Sequence, residues 1–122
     1  MITHVVMMKF KSGVTDDQIT DLEASFEELP DKIIEIQSYE FGRDVIRSER
    51  SYDFALVSIF ANLDTLKHYQ THPAHLVVVQ KLQAMCEQII AVDFEASKLS
   101  KIDPDLDPHS DPWNDPKLFQ RA

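Results

Sequence analysis

The sequence predicts an α+β fold in which a four-stranded antiparallel sheet carries its helices on one face. Three observations lead there. The hydrophobic period changes along residues 1–95 in the order strand, helix, strand, strand, short helix, helix, strand. That βαββααβ order is the ferredoxin-like plan of two βαβ-like halves. The first and third strands are apolar on both faces, although the helices of this plan cover only one. Finally, 122 residues with 43% hydrophobic content make one domain with a real core. A domain of this size buries only about two-thirds of its unfolded surface. The uncovered sheet face therefore predicts a homodimer, sheet stacked on sheet through an isologous interface.

From His4 to Phe10, a strand places His4, Val6, Met8 and Phe10 on one face and Val5 and Met7 on the other. Ser12-Gly13 breaks it, and Thr15-Asp16-Asp17-Gln18 has the form of a capping box. Ile19, Leu22, Phe26 and Leu29 then make one apolar helical stripe from Asp16 to Leu29, with Pro30 expected to stop the helix. Its acidic outer face reads as solvated surface. Ile33 to Arg43 alternates as a more polar second strand, with a twist or bulge expected at Gly42, and Asp44 to Ser51 reads as a charged loop. The clearest strand is Tyr52 to Phe60, where Tyr52, Phe54, Leu56, Ser58 and Phe60 alternate with Ala55, Val57 and Ile59. Asn62 caps a short helix carrying Leu63, Leu66 and Tyr69. Val78, Leu82, Met85, Cys86 and Ile89 share one face of a longer helix running from Pro73 to about Gln88, and Ile90 to Glu95 alternates as the last strand.

The segment Tyr69-Gln70-Thr71-His72-Pro73-Ala74-His75 holds two of the five histidines and a tyrosine. Proline pushes the residue before it out of the helical region and itself suits a first helical position. One helix is thus expected to end near Thr71 and the next to begin at Pro73, with His72 as N-cap. His75 then lies in a first turn, where the dipole disfavours added positive charge and biases the imidazole toward the neutral form a general base needs. Two readings stay open: these side chains do chemistry, or they satisfy backbone groups and face water. For Tyr69 the second reading is a packing residue bonded at the rim. For His4 it is a satisfied core histidine.

A net charge of −9, from 21 acidic against 12 basic residues, argues against nucleic acid and anionic membranes as partners. No apolar run approaches the ~20 residues of a membrane span. With no charged leader before the first strand, a cytoplasmic protein is expected. The single cysteine, Cys86, falls in an apolar pattern and reads as a small buried hydrophobe rather than a reactive thiol. His72-x-x-His75 straddles a helix start with no acidic or thiol ligand beside it in sequence, so no metal centre is expected.

Several of these pieces, taken together, resemble the stress-responsive dimeric α/β-barrel (Dabb) domain family. They are His4-Val5-Val6 with Lys9-Phe10-Lys11, Gly42-Arg43-Asp44, Tyr52-Asp53-Phe54-Ala55-Leu56-Val57, Tyr69…His72-Pro73-Ala74-His75, and Val92-Asp93-Phe94. The resemblance implies a domain over residues 1–96 that pairs into a dimeric α+β barrel, shared with plant stress proteins and polyketide cyclases. It implies Tyr69 and His75 as a catalytic pair working without cofactor in a cyclase- or lyase-type reaction. His75 would take a proton from carbon next to a carbonyl while Tyr69 polarises the oxygen. His4 would line the same pocket, with His72, Met8 and Phe54 as further contacts to a small apolar or aromatic ligand. At the third-strand position where cyclase members carry another histidine this chain has Phe54, which makes the pocket more apolar. The alternative is a non-catalytic stress-response or scaffold protein. A further alternative is a monooxygenase of the related dimeric-barrel group, a reading that fold alone carries.

Residues 97–122 do not belong to the barrel plan. Asp-Pro recurs at Asp103-Pro104, Asp107-Pro108, Asp111-Pro112 and Asp115-Pro116, which forbids both helix and regular strand and predicts an extended arm. Trp113, Leu118 and Phe119 are its candidate anchors, against the alternative of a solvated tail. The glycine and closing glutamate of an EF-hand loop are missing, so the aspartates do not read as a calcium site.

Overall fold

The computed structural model describes residues 1–96, and the Asp-Pro arm with Trp113, Leu118 and Phe119 lies outside the described residues. The elements are β1 (Ile2–Phe10), α1 (Asp16–Lys32), β2 (Ser38–Arg43), β3 (Phe54–Phe60), α2 (Leu63–Thr71), α3 (Pro73–Met85) and β4 (Cys86–Glu95). The strands form one antiparallel sheet in the order β2-β3-β1-β4. This is the ferredoxin-like arrangement. Both predicted caps form as full capping boxes, Thr15 with Gln18 and Asn62 with Thr65.

β1 begins two residues earlier than the sequence reading and β3 two later, at Phe54, and three larger differences each have a structural reason. Pro30 sits inside α1 rather than ending it. It falls in the last turn, where losing one backbone donor is tolerable, and the Ile33 N–H still closes the helix on the Leu29 carbonyl at 2.9 Å. β2 starts at Ser38 and not at Ile33, because its partner β3 offers no residue beyond Phe60 and Ser38 already faces Ile59. Ile33 instead plugs the core while Ile34 is 92% exposed. α3 ends at Met85 and β4 takes over from Cys86, since β1 is long enough to pair as far as Phe10 opposite Cys86. A full ladder of backbone bonds outweighs one more turn of helix. Cys86 is buried, and burial pushes its thiol up to about 11, in keeping with a packing role.

Between sheet and helices lies one core. Met8, Leu22, Phe26, Leu29, Ile33, Phe54, Phe60 and Tyr69 have almost no exposure. Directly paired residues of antiparallel strands point to the same face. The other face therefore carries Val5, Met7, Ala55, Val57, Ile90, Val92 and Phe94. Among the described residues no helix covers it, and Val92 and Phe94 are 60% and 48% exposed. Among the described residues no helix is long and apolar enough to cross a membrane.

Candidate functional site

The α2–α3 junction takes the predicted form. His72 is extended (φ −65°, ψ 134°) and caps α3, its Nδ1 accepting the Ala74 N–H at 3.0 Å. This leaves the His72 proton on Nε2. Pro73 occupies the first helical position, and His75 follows on the α3 face shared with the buried Val78, Leu82 and Met85. Tyr69 projects from the last turn of α2 into the core.

Two of the predicted residues meet directly and a third joins them. The Tyr69 and His75 rings lie 4.2 Å apart between centroids, and His4 approaches Tyr69 edge-on at 6.2 Å. Phe60 closes the cluster 4.9 Å from Tyr69. His4 reaches the group because β1 places it on the helix-bearing face with Val6 and Met8. Phe54 and Met8 lie deeper, outside this cluster. Phe54 stacks on Phe26 and Phe41, and the two residues are 2% and 0% exposed.

Hydrogen-bond partners fix the ring tautomers. A backbone carbonyl only accepts, so His75 Nδ1 donates to the Gln70 carbonyl at 3.2 Å and the neutral ring keeps its lone pair on Nε2. The same logic holds for His4, whose Nδ1 donates to the Asp93 carboxylate. Burial holds the His75 imidazolium below its ordinary 6.5, opposed by the Gln70 carbonyl and reinforced by His4 and His72. His75 is thus neutral, as its first-turn position suggested, but mainly through desolvation.

Tyr69 is not free. Its hydroxyl shares a 2.8 Å hydrogen bond with Tyr39 of β2, inside a cage that includes Phe26, Phe41 and Phe60. Burial carries the Tyr39 hydroxyl far above its ordinary range, and Tyr69 raises it further. Burial also pushes Tyr69 up to about 12, against the pull of the Tyr39 bond. Both are neutral phenols.

Exposed residues of the edge strand flank the group. Ile89, Ala91 and Asp93 of β4 face Met8, Val6 and His4 on the helix-bearing side, and all three keep substantial exposure. Clefts lie elsewhere. One of about 530 Å³ sits at the far end of β1 among Phe10, Val14, Arg43 and Ser51, and one of about 390 Å³ opens on the uncovered sheet face beside Met7, Tyr52 and Ile90. Neither is lined by His4, Tyr69 or His75.

Sequence reasoning did not single out Tyr39, Gln70 or Asp93. Tyr39 shares its strand face with Phe41, and Asp93 stands in the Val92-Asp93-Phe94 piece of the family resemblance, so both carried a weak signal. Gln70 acts through its backbone, which no side-chain pattern reveals.

Comparison with known proteins places these features among relatives. The stress responsive A/B barrel domain matches residues 2–96. An uncharacterised protein of Streptomyces coelicolor is 33% identical over 98 residues, 78% of this chain and 99% of the relative. The olivetolic acid cyclase of Cannabis sativa is 23% identical over 99 residues, 80% of this chain and 98% of the cyclase. Among solved structures, a dimeric ferredoxin-like protein of unknown function from Thermobifida fusca superposes with a TM-score of 0.73 at 30% identity, covering 78% of this chain and 90% of that one.

Proposed function

The chain belongs to the stress-responsive A/B barrel domain family, and we propose that it acts as a homodimeric α+β barrel that binds a small, partly apolar carbonyl or aromatic compound beside Tyr69 and His75. The chemistry proposed for that site is acid/base and independent of a cofactor. The Tyr69–His75 contact, with His75 anchored through Nδ1 and held neutral by burial, is the observation that carries it. His75 Nε2 takes a proton from carbon next to a carbonyl. With Tyr39 as donor in the shared hydrogen bond, the Tyr69 proton is available to polarise the carbonyl oxygen. The kinship with olivetolic acid cyclase supports this class of reaction.

The open sheet face supports the dimer: Met7, Ile90, Val92 and Phe94 form an exposed apolar surface, and the Thermobifida fusca relative is described as dimeric. Val92→Lys is expected to convert the dimer to monomer in sedimentation velocity runs.

A second reading, a non-catalytic scaffold, is favoured by one specific observation. Phe54 and Met8 fill the interior, and Tyr69 itself has no exposed surface. Screening aromatic and carbonyl compounds against wild type and His75→Ala separates the two. Loss of binding or turnover in the variant supports the site, and identical profiles favour the scaffold.

A further inference from the structure

We propose that His4 and Asp93 form the proton-accepting unit of this site, with His4 Nε2 taking a proton from the bound compound and Asp93 as the positioning residue that fixes the imidazole. The inference rests on reading the cluster as a ligand site, and adds to it a second base and a residue with no role so far. Backbone register sets the pair. β1 and β4 are antiparallel neighbours, and His4 and Asp93 are direct partners on the helix-bearing face. Their contact therefore follows from strand pairing and not from a chance meeting of long side chains.

Hydrogen-bond chemistry then fixes which atom works. The carboxylate accepts from Nδ1, so Nε2 of the neutral ring carries the lone pair. His4 is only 6% exposed, with Phe60 and Tyr69 against its ring. Yet no buried side-chain nitrogen or oxygen among the described residues lacks a partner. Nε2 makes no hydrogen bond among them, so it reaches accessible space.

What happens after proton uptake distinguishes His4 from His75. An imidazolium on His4 faces the Asp93 carboxylate, whereas His75 has only the neutral Gln70 carbonyl and no carboxylate paired with it among the described residues. A carboxylate behind an imidazole holds the productive tautomer and stabilises the charge that forms. The compound that suits this unit is a weak acid, an enolisable carbonyl or a phenol, with an apolar body to lie along Ile89 and Ala91. In the step, the C–H or O–H bond breaks and its electron pair stays on the compound as enolate or phenolate. The proton becomes the second N–H of His4, and its return closes the cycle without oxidant or reductant.

The test uses the full-length protein and p-nitrophenol, whose phenolate absorbs in the visible. Nitrogen-15 spectra of the histidine rings should show His4 protonated on Nδ1 in wild type. In Asp93→Asn they should show it on Nε2, because the amide can donate to Nδ1, and Asp93→Glu should restore the wild-type form. At fixed pH near neutrality, bound p-nitrophenol should show a larger phenolate fraction than free dye in wild type and in Asp93→Glu. In Asp93→Asn that excess should vanish while binding persists. A wild-type His4 protonated on Nε2 overturns the inference even if Asp93→Asn does not fold. So does an unchanged tautomer in Asp93→Asn, or dye that binds wild type without excess phenolate. If wild type does not bind p-nitrophenol at all, the underlying ligand-site reading fails, and the tautomer spectra alone decide the role of Asp93.

Discussion

Along β1 the same face of the same strand has two different ends. At Met8 the neighbours are Phe54, Phe26 and Phe41, stacked rings with no polar atom to satisfy. At His4, four residues away, the neighbours are Tyr69, Asp93 and Ser58, and nearly every polar atom has a named partner. The first end is held by shape and apolar area. Hydrogen bonds specify the second, and among the described residues the Nε2 lone pairs of His4 and His75 are left without a hydrogen-bond partner. The contrast teaches where to look for function: not in the best-packed part of the core, but where satisfied polar groups leave a directed remainder.

Breaking the packed end should cost most. Phe54→Ala leaves a ring-sized void between Phe26 and Phe41, with an expected loss of about 3–5 kcal/mol in urea unfolding. Where the variant remains folded, the His4 tautomer should not move.

The polar end should respond less in stability and more in coupling. Tyr69→Phe strands the Tyr39 hydroxyl in the aromatic cage, an expected cost of about 1–3 kcal/mol. Removing both hydroxyls should recover part of it, a non-additivity read by a double-mutant cycle. If the Tyr39→Phe and Tyr69→Phe losses simply add, the two hydroxyls are not a unit.

Smaller effects refine the junction. His72→Ala removes the cap on the Ala74 N–H, with an expected loss of about 0.5–1 kcal/mol by thermal or urea unfolding. For His75, the folded chain binds the proton less readily than the unfolded one, whose value is 6.5. The stability contributed by the neutral ring is therefore complete above 6.5 and is lost as pH falls through and below it. Unfolding midpoints measured across that window should fall less steeply in His75→Gln than in wild type. Parallel curves would show that burial does not depress this group.

Much of this was written in the chain. Alternation in β1 and β3 assigned faces residue by residue, the Thr15 box and the Asn62 cap announced two helices, and His72-Pro73 marked the junction with the correct cap. These are local signals, set by backbone sterics and a hydrogen bond two or three residues away. Pairing across distance was not legible. Neither the Tyr39–Tyr69 bond, 30 residues apart, nor the His4–Asp93 bond, 89 apart, leaves a periodic trace.

By itself, then, the sequence determined the element order, the covered sheet face and the residues that crowd the helix junction, because periodicity and capping act within a few residues. Tertiary structure alone decided where β2 and β4 begin, since strand length depends on what the partner strand offers. It decided, too, that the Tyr69 hydroxyl is shared with Tyr39. It also put a carboxylate behind His4, because register brings opposite ends of the chain side by side and gives a buried imidazole its direction.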